Sequence, residues 1–129
     1  MNFPKELKYT KTHEWASKKG NLVTVGITQY AQGEISDVVF VELPKAAQVL
    51  VQGKPAAVVE SVKAAFDIYS PMSGKVTRMN TQLESKPELV NQDCYAQGWL
   101  FELELSNPAE WDALMASDAY EAQIQQEHH

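Results

Sequence analysis

A lysine stands near the midpoint of the chain in the run Ala57-Val58-Val59-Glu60-Ser61-Val62-Lys63-Ala64-Ala65. Small and β-branched residues surround it, and strand-like segments lie on either side. Such a pattern predicts a tight turn with the Lys63 amine at its tip, free of partners and open to acylation, which would make the side chain a long swinging arm. A lysine in a hairpin turn is also simply a solvated charge, because Lys is almost never buried unless paired. The spacing alone leaves both readings open.

Other reactive side chains are sparse. Cys94 as a nucleophile with His13 as its base is the enzymatic alternative, but one cysteine and one internal histidine carry no recognisable orienting motif. The histidines and the cysteine also show no metal-ligand spacing.

Composition narrows the classes further. With 17 acidic against 11 basic residues the formal net charge is −6, the wrong sign for a phosphate-backbone partner. A chain of 129 residues fits one domain, here 1–129, and buries about two thirds of the surface its unfolded form exposes, enough for a core without staples. The single cysteine forms no intramolecular bridge, which suits a reducing compartment. The first residues, Met1-Asn2-Phe3-Pro4-Lys5-Glu6, have neither a signal-peptide nor a transit-peptide character, and no apolar run approaches the roughly 20 residues of a membrane span. The expected location is a bacterial cytoplasm, with a mitochondrial matrix as the alternative. Glu127-His128-His129 is either native or a tag remnant and is assigned no chemistry.

Short strands must hold the lysine in place. Leu22, Thr24 and Gly26 alternate with Val23, Val25 and Ile27, and Phe101, Leu103 and Leu105 alternate with Glu102 and Glu104. Val38 to Val41 is continuously apolar and predicts a strand buried on both faces, and Thr28 suits the cap of a short helical turn through Gln32. The carboxyl end changes character. Asn107-Pro108-Ala109-Glu110 reads as an N-cap, a proline at the first helical position and a capping-box glutamate. Ser117 suits the cap of a second helix, with Tyr120 and Ile124 on one face packed against the β body. The β body therefore spans about 7–105 and the helical segment about 107–125. A faint echo links Pro44, Val49 and Gly53 with Pro87, Val90 and Gly98, each leading into a strand, and suggests two similar four-strand halves.

From about Leu7 to Tyr120 the chain resembles the H proteins of the glycine cleavage system. The motifs are Thr12-His13-Glu14-Trp15, Val25-Gly26-Ile27-Thr28 with Ala31-Gln32, Val39-Phe40-Val41-Glu42-Leu43-Pro44, Val58 to Ala65, Tyr69-Ser70-Pro71, Ser73-Gly74, Asn80, Pro87, Leu89-Val90-Asn91 and Gly98-Trp99. The resemblance implies a mostly β fold, a flattened hybrid barrel-sandwich of the lipoyl/biotinyl carrier type with short C-terminal helices. It implies lipoate attached covalently to Lys63, which removes one positive charge and takes the net charge from −6 to −7. It implies a carrier and not an enzyme. Its partners would be glycine decarboxylase, which loads an aminomethyl group, an aminomethyltransferase that passes the one-carbon unit to tetrahydrofolate, dihydrolipoyl dehydrogenase, which reoxidises the dithiol, and a lipoylating enzyme. The hard chemistry would belong to those enzymes, and the tether would supply effective concentration. A monomer with transient contacts is implied, and an H-like paralogue serving as a lipoyl donor or interaction module is the alternative.

Several further residues take roles from the same resemblance. Biotin carriers place the lysine between methionines, and oxo-acid dehydrogenase lipoyl domains place an Asp before it, whereas Val62 and Ala64 flank Lys63 here. Glu60 matches the recognition acid for modification, and a solvated strand-end glutamate is an equal reading. Glu14 and Asp67 match positions where the loaded arm folds back, and Thr12 would add a hydroxyl acceptor. A carboxylate about 4 Å from an ammonium gains some 4 kcal/mol of gross attraction at an effective dielectric near 20, but an exposed pair nets only about 0–1, so the benefit requires enclosure. Trp15 either excludes water or fills the core. The chain departs from the family pattern at Phe66 in place of a small serine beside the lysine. Ser36 replaces an expected glycine, which predicts that the backbone avoids a positive φ there. Cys94 replaces a common proline and reads as a small apolar residue at a strand start.

Overall fold

The clearest alternation in the sequence lies at the centre of the larger of two sheets. The computed structural model describes residues 1–127; His128 and His129, in the tail assigned no chemistry, lie outside the described residues. In chain order the strands are β1 (Lys8–Tyr9), β2 (Glu14–Lys19), β3 (Leu22–Ile27), β4 (Val38–Glu42), β5 (Val49–Leu50), β6 (Pro55–Ser61), β7 (Ala65–Tyr69), β8 (Gly74–Met79) and β9 (Phe101–Leu105). The α-helices are α1 (Gln29–Ile35), α2 (Leu89–Gln92) and α3 (Ser117–Glu127). Six strands pair antiparallel in the order β1-β2-β3-β9-β8-β5, and three in the order β4-β6-β7.

Val23 lies opposite Leu103 and Val25 opposite Phe101, so the alternating apolar residues of β3 and β9 share one face. They pack with Val76 of β8 and with Val41, Ala57, Val59 and Ile68 of the smaller sheet in one buried cluster. Burying each of these side chains larger than alanine fully is worth about 1.5–3 kcal/mol. The fold is mostly β with short helices, as expected, and both sheets stay open instead of closing into a barrel. The internal echo does not mark two four-strand halves. Its first copy contains β5, but its second contains α2 and turns, and the strands divide six to three.

The other face of the large sheet holds a second cluster. Tyr9 and Trp15 pack there with Tyr120 and Ile124 of α3, the two tail residues expected to dock on the β body. Trp15 is 2% exposed and fills this core, and its indole N–H donates to the Cys94 carbonyl at 2.9 Å. Its cross-strand neighbour must be glycine, because a Cβ on Gly26 would meet the indole at 2.6 Å.

Local context overrides five expectations. Val38 and Val41 are buried, but Val39 is 54% and Phe40 48% exposed. A bulge makes the difference: Val38 pairs with Ser61 and Phe40 with Glu60, leaving Val39 as the extra residue. Ser36 does adopt a positive φ, 75° with ψ −159°, a region that is essentially glycine's and costs a side-chain-bearing residue about 1–3 kcal/mol. Asn107 makes no side-chain cap, and Pro108–Ala113 is a 3-10 helix. Glu110 is drawn away from its backbone by tertiary donors, accepting from the Ser73 N–H at 2.7 Å and its hydroxyl at 2.9 Å. Cys94 lies in the turn after α2, not at a strand start. Ser117 is the first residue of α3, and the Asp118 carboxylate is the side chain that takes a first-turn N–H, that of Ala119, at 2.9 Å. The cap on α1 is as read, with the Thr28 hydroxyl accepting from the Ala31 N–H at 3.1 Å.

Candidate functional site

Lys63 lies at the tip of the β6–β7 hairpin, and a single serine shapes that tip. The Ser61 N–H donates to the Ala64 carbonyl at 2.8 Å, and the Ser61 hydroxyl oxygen accepts from the Lys63 and Ala64 N–H groups at 3.0 and 3.2 Å. Closing the turn on itself in this way leaves Val62, Lys63, Ala64 and Ala65 exposed. The amine has a partner: Lys63 Nζ donates to the Glu34 carbonyl at 3.3 Å. That carbonyl belongs to the last turn of α1, where the helix end favours a cation and the helix supplies no basic residue of its own. At an exposed site so long a bond contributes little and leaves the amine available.

The pleat sorts the neighbouring side chains. Glu60 lies opposite Ala65 and Val58 opposite Asp67, so Glu60, Ala65, Asp67 and Tyr69 share the outer face of the small sheet. Phe66 lies opposite Val59 and packs against the main core, so this large aromatic is turned away from the outer face that carries Glu60 and Asp67.

Beyond the far end of β7 a cavity of about 290 Å³ opens between the β1–β2 turn, the Tyr69–Pro71 segment and Leu114-Met115. Glu14, only 1% exposed, lies at its wall. One of its oxygens, Oε1, accepts from the hydroxyls of Thr10 at 2.5 Å and Thr12 at 2.6 Å, and Oε2 accepts from the Tyr69 N–H at 3.1 Å. Thr10 Oγ1 in turn accepts from the Glu14 N–H at 3.1 Å. The chain reaches this arrangement through a left-handed residue, His13 at φ 77°, whose ring Nδ1 lies 2.8 Å from the Tyr120 hydroxyl. Burial pushes the Glu14 carboxyl above its ordinary value, and the three donors and nearby His13 oppose that rise.

Thr12 and Glu14 are therefore together in one cavity, and Tyr69 links it to the lysine hairpin. Asp67 is exposed and outside the cavity wall, on the stretch of β7 between Lys63 and Tyr69. Glu60 is exposed beside the turn. Thr10 escapes a reading of the sequence by motif, because the turn between β1 and β2, closed by the Thr10 N–H on the Glu14 carbonyl at 3.0 Å, is what brings its hydroxyl to the carboxylate. Burial pushes the Cys94 thiol up to about 11, so it is protonated and inert near neutral pH. Among the described residues no group of three or more His, Cys, Asp or Glu could hold a metal ion, and no helix is long and apolar enough to cross a membrane.

A family model described as glycine cleavage H-protein matches residues 7–127. The chain belongs to that family. Among H-protein relatives, the glycine cleavage system H protein of Symbiobacterium thermophilum is 55% identical over 121 residues, covering 94% of each chain. One from Thermus thermophilus is 48% identical over 127 residues, covering 98% of this chain and 99% of the relative. The crystal structure of a glycine cleavage system H protein from Mycobacterium marinum superposes with a TM-score of 0.88 at 30% identity, covering 95% of this chain and 99% of that one. The hairpin lysine and the Glu14 cavity stand against this H-protein background.

Proposed function

We propose that Lys63 carries a lipoyl group in amide linkage and that the Glu14 cavity shelters the cargo bound to it. H proteins are the lipoyl carriers of the glycine cleavage system and not its catalysts, and this chain is one of them. The observation that carries the proposal is the single strand joining an exposed lysine turn to a cavity walled by a buried carboxylate.

Attachment requires a nucleophilic amine that an enzyme can reach. The Ser61 turn presents Lys63 in that way, and its Nζ would lose a proton and bond to the lipoyl carboxyl carbon as an activating group leaves. Glu60, one pleat from the turn, is assigned to recognition by the lipoylating enzyme. The bound dithiolane supplies a sulfur that accepts the aminomethyl group and a redox couple that is afterwards restored.

The residues of the cavity fit a protonated amine. Glu14 Oε2 receives one protein donor and so retains acceptor capacity, and the Thr12 hydroxyl, donating to Oε1, keeps lone pairs for a second contact. Leu114, Met115 and Pro71 give the wall an apolar lining that would help to keep water from a docked amine, the enclosure that an ion pair needs to be worth more than a surface pair. Asp67 marks the path between tether and cavity. The chain acts as one domain and as a monomer in the bacterial cytoplasm, with glycine decarboxylase, the aminomethyltransferase and dihydrolipoyl dehydrogenase as successive hosts of the arm.

Intact mass with peptide mapping, on protein produced with lipoate and a lipoylating enzyme, tests the attachment. One lipoyl group on Lys63, absent from Lys63→Arg, is the expected result. An unmodified Lys63 under those conditions overturns the carrier assignment for this residue.

A further inference from the structure

We propose that Asn91, distant in sequence from the hairpin, is a positioning residue that holds Lys63 where a modifying enzyme can take it. The proposal rests on Lys63 being the attachment site. Asn91 lies in α2 and clamps the segment Ser36–Val38 that joins α1 to β4. Its amide Nδ2 donates to the Ser36 carbonyl at 2.8 Å and to the Gln32 side-chain oxygen at 3.2 Å, and its Oδ1 accepts from the Val38 N–H at 2.8 Å. Both donors are used, and the partners leave only one orientation of the amide that satisfies them.

The clamped segment is the one on which the lysine turn leans. Val38 pairs with Ser61, the Asp37 carbonyl accepts from the Val62 N–H at 3.0 Å, and the Glu34 carbonyl receives Lys63 Nζ at 3.3 Å. Asp37 is thus flanked on both sides by groups that Asn91 grips. Ser36 makes the grip necessary, because a residue with a side chain does not stay at φ 75° and ψ −159° unless its surroundings fix it. Released from Asn91, Ser36 relaxes toward the β region, the Asp37 carbonyl moves, and Val62 loses its anchor one residue before the lysine.

Val62 is 70% exposed and contributes no packing that would replace that anchor. A loosened tip spends less time in the conformation an enzyme accepts, and apparent affinity falls by that fraction, whereas the chemistry of Nζ is unaltered. The effect therefore appears in KM more than in kcat.

The test uses unmodified full-length protein, a lipoylating enzyme and an activated lipoyl donor, with amide hydrogen exchange measured in parallel. Asn91→Ala is expected to raise KM for the carrier about fivefold with kcat within about twofold of the parent. The Val62 amide should exchange about tenfold faster while Leu103, at the sheet centre, is unchanged. Asn91→Asp keeps the acceptor for Val38 and removes both donors. This near-isostere should show the same pattern, and it decides the matter if Asn91→Ala loses Leu103 protection as a whole. Parent-like KM in a folded variant, or unchanged Val62 exchange, overturns the proposal. A parent chain left unmodified at Lys63 defeats the attachment reading instead, and Val62 exchange then still judges the clamp.

Discussion

The Tyr69 N–H donates to Glu14 Oε2 at 3.1 Å, so the strand that begins at the lysine turn ends on the buried carboxylate. A shift of β7 that moved the lysine turn would also disturb the wall of the cavity. The lysine turn and the cavity wall are therefore joined by backbone, with no flexible linker between them.

Glu14→Gln keeps the size of the side chain and removes its charge. Hydrogen bonds to charged groups are worth about 1.5–3 kcal/mol, so the variant should lose its aminomethyl cargo to hydrolysis at least about tenfold faster than the parent. Cargo half-life by mass spectrometry is the measurement, and equal half-lives would remove Glu14 from the mechanism.

The pH dependence has a definite sign. Burial raises the Glu14 carboxyl, so the folded state binds its proton more tightly than the unfolded state does, and this group favours folding at low pH. That contribution is present below the ordinary value of 4.5 and is lost as pH rises through the raised folded value. Urea unfolding across this window should show parent stability falling relative to Glu14→Gln as pH increases. Cargo retention should run the other way, because acidification neutralises the carboxylate proposed to hold the amine, and the Gln variant should be flat.

Ser36→Gly should stabilise the fold by about 1 kcal/mol, since relief of the backbone strain exceeds the added entropy of the unfolded chain. A shift of the urea midpoint without a change in slope would report it. No shift would mean that Asn91 and the Gln32 carbonyl, which accepts from the Ser36 N–H at 3.0 Å, have absorbed the strain.

Gly26→Ala places a methyl group 2.6 Å from the Trp15 indole, which is locked by burial and by its bond to Cys94. Overpacking of this kind costs about 1–3 kcal/mol, and the thermal midpoint should fall by several degrees.

Cys94 should resist a soluble disulfide reagent at neutral pH and react once urea unfolds the chain. Its thiol is buried and pushed up to about 11. Rapid modification of the native protein would contradict both the burial and the inertness.

The parts of this fold legible in the sequence are those set by local chemistry. The Phe101–Leu105 alternation, the Thr28 cap and the Tyr120–Ile124 face each depend on residues a few positions apart. The turn at Lys63 and the Thr12–Glu14 pair are legible through motif resemblance. What escapes is decided by distant partners. Glu110 has the right spacing for a capping box, but Ser73 offers it two donors. Ser36 takes a positive φ in a segment that Asn91, 55 positions along the chain, grips through the Ser36 carbonyl. Phe40 is exposed because one extra residue in β4 changes the face on which it emerges, and a pairing offset leaves no mark in composition.

Strand β7 also works as a ruler. From Ala65 to Tyr69 it spans about 13 Å at ~3.3 Å per residue, and the length of a lysine tether is fixed by its own bonds. Inserting two residues in each arm of the hairpin would keep every side chain on its face yet carry Lys63 about 7 Å farther from the cavity. On the proposed function, the tether of such a carrier would be too short to return its cargo to the cavity. On that proposal, the register of one hairpin sets the difference between an arm that can be stowed and one that is always extended.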